Sequence, residues 1–368
     1  MFSGESYVPT LNRGLRVFFT QFVRASLTRP KLAVFFAATV VRQLLSARMR
    51  AKWKKHGLHV PPIVIFSITD RCNLRCKGCF AQAIRTGPGD ELSDSDIARI
   101  IGESVELGVS FVIIAGGEPL MRPEILDIAG SFPRTMFLLV TNGLLLDAPL
   151  VARLRTQPNT IPVLSIEGNE AETDGRRGLG VHERLRRRMC ELKTAGVFFS
   201  LSLTVNRANF NTVTDSQFIA DAIDSGCGFF LFLEYTPVRE GTESWVITED
   251  QRKRMGAIVN ALRSRYRAVF IAVPWDEEDV GGCLAAGRGF VHISAEGKLE
   301  ACPLAPFSDR SLASSSFLDA LASPLLRLLR DTHEQFDDTS GGCTLWKERE
   351  RIATLQSSSD RISGDPTD

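Results

Sequence analysis

The run Val64-Ile-Phe-Ser-Ile-Thr69 leads, two residues later, into Cys72-Asn-Leu-Arg-Cys76-Lys-Gly-Cys79. The first part, rich in β-branched and aromatic residues, reads as a buried strand. The second sets three thiols within eight positions on the loop that follows. Thiolates bind zinc or iron–sulfur clusters, and three from one short loop leave a coordination position open. A structural zinc site brings four ligands, usually in paired C-x2-C units. The C-x3-C-x2-C spacing lacks that pairing and favours a cluster with one free corner.

Outward from this loop, β-rich runs recur at Phe111–Ala115, Met136–Val140, Pro162–Ile166, Val197–Val205 and Phe229–Tyr235. Helical patterns lie near 94–107, 123–130, 148–155, 181–195 and 211–225. Six strands, each followed by a helix, describe parallel βα units. The predicted fold is therefore α/β: a partial (β/α)6 TIM-like barrel over residues 61–270, with its chemistry on loops at the C-terminal strand ends. A helix near 249–267 follows. Residues 271–350 change character and read as a small cysteine-rich module. It has a hairpin pattern (Phe290–Ile293, Leu299–Cys302) and the thiols Cys283, Cys302 and Cys343. Residues 351–368 are predicted to be a disordered tail. Cys190 and Cys227 have no partner spacing and read as plain buried thiols.

At 44% hydrophobic and 24% charged, the 368 residues exclude disordered, collagen-like and low-complexity classes. The net charge of +1 hides an asymmetry. Residues 1–60 hold eleven Lys/Arg against Glu5 alone, a surplus of ten, so the rest of the chain carries −9. Residues 1–60 are predicted to form a basic amphipathic helical arm. Arg16, Thr20 and Arg24 recur on one side, Leu15, Phe19, Phe22 and Val23 on the other, and Pro30 opens a second helix. Such an arm suits the headgroup layer of an anionic membrane, so peripheral contact through residues 11–55 is one expectation. An extra helix packed on the enzyme is the other. The longest apolar run, Leu32–Val41, is ten residues, about half of a bilayer span. With no secretory signal legible, a cytoplasmic location is expected, peripheral at the inner face of the membrane if the arm binds lipid. In that reducing compartment clustered cysteines favour metal ligation over disulfides. Nucleic acid is not an expected partner.

With these residues the chain resembles the radical SAM superfamily, whose hallmark is C-x3-C-x2-C on the loop after the first barrel strand. The resemblance implies that Cys72, Cys76 and Cys79 hold a catalytic [4Fe–4S] cluster whose free iron chelates S-adenosylmethionine. One electron, from a donor such as flavodoxin or ferredoxin, then cleaves the cofactor to methionine and a 5′-deoxyadenosyl radical that takes hydrogen from substrate. The family usually places an aromatic before the third cysteine; here that position is Gly78, and Phe80 follows instead. Gly116-Gly117-Glu118-Pro119 is similar to the family's GGE motif, which holds an amino group. Thr141-Asn142-Gly143 ends the third strand. Ser165-Ile-Glu167-Gly168 ends the fourth, before Asp174-Gly-Arg176-Arg177-Gly178. By resemblance the cofactor-binding residues are Phe80, Gly116, Gly117, Glu118, Asn142, Ser165, Glu167 and Arg177, with Arg177 preferred over Arg176. Thr204 and Tyr235 are further candidates for adenosyl or substrate contact.

Cys283-x13-Gly297-x4-Cys302 resembles the opening of the SPASM or shortened "twitch" extension. That implies one auxiliary [4Fe–4S] cluster on Cys283, Cys302 and Cys343, since the later C-x2-C-x5-C run is missing. Its fourth ligand stays open between His292, His333 and a substrate atom. Such clusters are expected to be oxygen-sensitive. The basic arm points to a lipid or membrane-associated substrate. The alternative is a peptide, as in maturases of the SPASM type. A non-catalytic iron–sulfur electron carrier is the reading from a different class.

Overall fold

The protein is described by a computed structural model at residues 7–84, 89–278, 280–332 and 343–363, without the side chains of 357–363. Nine strands form one sheet: β1 Ile63–Ser67, β2 Phe111–Ala115, β3 Met136–Thr141, β4 Thr160–Ile166, β5 Phe199–Val205, β6 Cys227–Glu234, β7 Val269–Val273, β8 Phe290–Ile293 and β9 Leu299–Glu300. Their order is β7-β6-β5-β4-β3-β2-β1-β8-β9. All neighbours run parallel except β8 and β9. The sheet ends in β7 on one side and β9 on the other, so the barrel is partial, as expected.

Local chemistry explains the connecting helices. Ser93 accepts from the Asp96 amide to start Asp94–Leu107, acids fill its first turn, and Gly108 ends it at φ +103°. Ile97, Ile100, Ile101 and Leu107 form its buried stripe, packed on outward-facing Val64, Phe66, Val112 and Ile114 of the sheet. Glu170–Arg177 opens with a capping box between Asn169 and Glu172.

At the front of the chain the first helix follows the second of the two expectations, a helix packed on the enzyme. Two helices, α1 Tyr7–Ala25 and α2 Pro30–Lys55, do form. However, the Leu15, Phe19 and Phe22 face of α1, offered to lipid on sequence grounds, is fully used inside the protein. It packs with Phe111, Met136, Ile161, Phe198, Phe229 and Val269, the inward residues near the strands' N-terminal ends. Phe18 meets Phe111 at 5.7 Å and Phe22 meets Phe229 at 5.3 Å between ring centroids. Thus α1 plugs the bottom of the barrel. Removing water from those rings inside the protein gains as much as burying them in lipid would, without a second phase.

Two other expectations change. The hairpin assigned to a separate module extends the barrel sheet, because β8 pairs in parallel with β1, Ile63 opposite Phe290 through Phe66 opposite Ile293. The tail predicted to be disordered from 351 is helical over Arg349–Ser363, with Ile352 fully buried. The structure also adds β7, a strand not expected from the sequence. Of the two lone thiols, Cys227 is buried as expected, and burial pushes it up to about 12. Cys190 is exposed, because it lies on the solvent side of Val181–Thr194, whose buried stripe is Val181, Leu185, Met189 and Leu192.

Truncating Phe22, which is 0% exposed, leaves a cavity beneath the barrel. Phe22→Ala is expected to cost about 3–5 kcal/mol in urea unfolding. His59 sits beside Tyr7 and Arg288. Burial first, and then the charges of Arg330 and Lys54, push it down to about 4. The native state therefore holds His59 neutral, while the unfolded chain takes a proton near its ordinary value. Stability is retained above the ordinary histidine range and lost as the pH falls toward 4. Between pH 7 and pH 4 the wild type should lose about 2–3 kcal/mol more than His59→Gln.

Candidate active site

The interior of the barrel changes character along its axis. Its lower positions are sealed by α1. Higher up, Ile65, Ile113, Val140, Leu231 and Ile271 are half-buried, and above them Ser165 and Thr204 are half-buried too. These positions alternate along their strands, so they share the inner face. The result is an apolar floor with hydroxyls nearer the mouth.

The loop after β1 lies at that mouth, with Cys72, Cys76 and Cys79 all partly exposed. Burial raises the Cys72 and Cys76 thiols, and the guanidinium groups of Arg177 and Arg176 oppose that at Cys76. Among the described residues no three His, Cys, Asp or Glu side chains are close enough to hold a single metal ion. A four-iron cube spaces its thiolates more widely than one tetrahedral ion does. Three partly exposed sulfurs on one loop, with cationic side chains alongside, fit such a cluster.

The glycines act by close packing. A Cβ on Gly117 would stand 2.1 Å from the Arg71 carbonyl oxygen, and one on Gly116 2.4 Å from that of Thr69. The amides of Gly117 and Glu118 donate to those same two carbonyls, at 2.8 and 2.9 Å. The Gly-Gly-Glu turn is thereby zipped onto the start of the cysteine loop. Glu118 is 1% exposed, and its carboxylate accepts from Thr141 Oγ1 (2.6 Å), the Asn142 amide (2.7 Å) and the Leu120 amide (3.1 Å). Its oxygens are thus engaged within the protein and tie the second loop to the third. Asn142 Nδ2 in turn donates to Asn73 Oδ1 at 2.7 Å, reaching the cysteine loop.

Glu167 anchors both candidate arginines. Its Oε1 accepts from Arg176 Nη1 at 2.5 Å and from Arg177 Nε and Nη2 at 2.8 and 2.5 Å. Glu167, which the resemblance makes a cofactor contact, is 1% exposed; its Oε1 orients both guanidinium groups, and its Oε2 has no hydrogen-bond partner among the described residues. Asp174 caps the next helix through the Gly180 and His182 amides. Ser165 lies opposite Ser202 on the inner face.

Gly78 also has a physical reason. A Cβ there would come within 2.5 Å of Tyr235 Oη and 2.8 Å of Trp245. Tyr235 and Trp245, 5.4 Å apart, fill the side that an aromatic before Cys79 would otherwise occupy. Tyr235 is 2% exposed with an unpartnered hydroxyl. Phe80 is 40% exposed and starts the short helix Phe80–Ile84. Trp245 carries no motif signal and is legible only in space.

The second set of thiols also converges. Cys302 and Cys343 are close neighbours whose interaction raises Cys302 and lowers Cys343, and burial raises Cys283 beside them. His292 is not free to join them, since Nε2 bonds Ser67 Oγ at 2.8 Å and Nδ1 bonds Glu300 Oε2 at 2.6 Å. This buried Ser67–His292–Glu300 chain laces β1, β8 and β9 together, and no sequence motif announced it. His333 and Gly341-Gly342 lie outside the described residues.

Residues 66–220 match the radical SAM superfamily; this part of the chain is a radical SAM domain, and the chain is an enzyme. The superfamily uses a [4Fe–4S] cluster and S-adenosylmethionine. The chain is 25% identical over 346 residues to an AdoMet-dependent heme synthase of Methanosarcina barkeri, covering 83% of this chain and 94% of that one. It is 28% identical over 320 residues to a mycofactocin maturase of Mycobacterium ulcerans, covering 78% and 84%. The fold matches Streptococcus suis SuiB bound to its precursor peptide SuiA, with a TM-score of 0.61 at 19% identity over 79% of this chain and 72% of that one.

Gly117→Ala should strain the junction between the two loops, costing about 1–3 kcal/mol in urea unfolding. It should also lower the iron retained after anaerobic reconstitution. Gly175→Ala, whose Cβ meets nothing within 4 Å, is the control expected to match wild type in both measurements.

Proposed function

We propose that the chain holds the catalytic [4Fe–4S] cluster through Cys72, Cys76 and Cys79, binds S-adenosylmethionine beside it, and acts on a peptide. An auxiliary [4Fe–4S] cluster on Cys283, Cys302 and Cys343 belongs to the same reading. Cluster and cofactor, when bound, supply a 5′-deoxyadenosyl radical. The protein's part is to hold and orient. The glycine turn fixes the height of the cysteine loop, and Glu167 presents Arg176 and Arg177 toward a carboxylate. Ser165 and Thr204 line the route inward, and Tyr235 with Trp245 walls the side at Gly78. The observation carrying this reading is the cysteine loop at the open mouth of the barrel, with two anchored arginines beside Cys76.

The peptide reading draws on a maturase among the relatives and a precursor peptide in a structural neighbour. The half-buried apolar floor suits a hydrophobic side chain entering from the mouth. A lipid substrate has less support, because the apolar face of α1 is closed inside the barrel. The heme synthase relative makes an iron porphyrin the competing substrate class. A one-electron donor of flavodoxin or ferredoxin type completes the proposal.

Anaerobically reconstituted protein should carry about eight iron atoms per chain, two four-iron clusters. Reduced with dithionite and given S-adenosylmethionine, it should form 5′-deoxyadenosine, and Cys76→Ala should form none. Equal product from that variant would overturn the cysteine assignment. Comparing a deletion strain with its parent by mass spectrometry should reveal a peptide altered only in the parent. Accumulation of an unprocessed iron porphyrin instead would overturn the peptide reading.

A further inference from the structure

Helix α2 is built inside out. The side it turns toward the protein carries Thr39, Gln43 and Arg50 along with Leu32 and Phe36. Gln43 Nε2 donates to the Ser110 carbonyl, and Arg50 donates to the Gly108 carbonyl at 2.6 Å and to Ser110 Oγ at 2.8 Å. The side it turns away carries Val34, Val41, Leu44, Leu45 and Met49, with Val34 69%, Val41 59% and Leu45 55% exposed. With exposed Ala37 between Val34 and Val41, these positions follow one another at helical spacing and form one stripe. Leu27, in the turn before α2, is 58% exposed as well. Of the most apolar 18 residues of α2, only 17% are buried. Scattered apolar residues on a surface need no explanation, but a stripe of this length does.

The charge around the stripe says what covers it. Lys31 stands exposed near one end, and Arg48, Lys52 and Lys55 near the other. Between α1 and α2 opens a cavity of about 260 Å³ lined by Asn12, Arg13, Arg16, Leu44 and Arg50. Arg13 and Arg16 are exposed there and make no side-chain hydrogen bond or ion pair among the described residues. These groups belong to the sixty-residue front with its surplus of ten positive charges. An apolar stripe bordered by free arginines and lysines matches the boundary between acyl chains and anionic headgroups. A protein partner would need an acidic, apolar face of the same length.

We propose that the outward face of α2, with the Arg13–Arg16 cavity beside it, docks the protein on an anionic lipid surface. The contact lies at the bottom of the barrel, since Gln43 and Arg50 bind the segment leading into β2 and Arg42 bonds the Arg134 carbonyl just before β3. The cysteine loops are at the opposite end. The bilayer therefore tethers the enzyme and leaves its mouth facing away from lipid. This inference stands independently of the substrate, and its test needs no turnover.

The full chain is sedimented with vesicles of phosphatidylcholine alone or mixed with phosphatidylglycerol. Binding is expected to the mixed vesicles only and to weaken with salt. Arg13→Gln with Arg16→Gln should weaken it about thirtyfold, the effect of two basic residues near the surface. Val41→Glu with Leu45→Glu should abolish it. Both pairs are exposed, so unchanged thermal unfolding is expected and confirms folding. Inorganic phosphate should not compete if the apolar stripe contributes. Equal binding to both vesicle types, or none to either, overturns the proposal. So does a dimer in the ultracentrifuge that the glutamate pair converts to monomer, which would assign the stripe to a second copy of the chain.

Discussion

Parallel pairing of β1 with both β2 and β8 is the interaction on which the rest of the structure depends. Backbone hydrogen bonds on both sides hold β1 in a single register. A slip of one residue would turn Val64 and Phe66 away from the helices and drive Ile65 out of the barrel. With the register fixed, the cysteine loop emerges level with the Gly-Gly-Glu turn after β2. On the other flank, β8 and β9 carry the chain from Cys283 to Cys302. Both sulfur sets are thus positioned from one strand, and the extra hairpin is part of the barrel wall rather than an appendage.

That arrangement gives several residues with motif signals a supporting part within the protein itself. Glu118 and Glu167 are each 1% exposed, and a carboxylate so buried must find partners within the protein. Glu118 finds Thr141 and the Asn142 amide; Glu167 finds two arginines. Glu118 joins the loops after β2 and β3, and Glu167 ties the end of β4 to the helix Glu170–Arg177 that follows it. The mouth is consequently held by hydrogen bonds between loops, which fixes the geometry for any group placed among them.

Much of this is legible in the sequence. The helix Asp94–Leu107 is readable to the residue because Ser93 and Gly108 bracket it, and β2 and β8 are readable because their apolar runs are short and bounded. β7 is hidden: Val269-Phe-Ile-Ala-Val273 follows a helix after only three residues and has no turn signal ahead of it. The apolar face of α1 is plain in its spacing, but the same spacing serves lipid and barrel equally, so the sequence cannot choose. Which side of α2 faces inward is not read from the sequence, since Gln43 and Arg50 are buried on hydrogen bonds that only the folded loops provide. Gly78 is visible as a departure, while its reason, Tyr235 and Trp245 across the barrel, is visible only in three dimensions.

The division of labour between the two ends of the barrel follows from the polarity of parallel strands. All loops that follow strands gather at one end, and they carry the thiols, the glycine turn and the arginines. The other end receives only the segments leading into strands, so it is free to be sealed, and α1 seals it with phenylalanines. Once sealed it needs no polar chemistry, and α2, lying across it, can turn its apolar residues outward provided its few polar ones are bonded beneath. Arg50 satisfies that condition: buried, with its pKa lowered to about 10 by desolvation, it still donates to Gly108, Ser110 and Asn12. One guanidinium therefore joins α1, α2 and the barrel. Together with Leu32 and Phe36, packed in the core beneath the barrel, that bond fixes which side of α2 faces the protein.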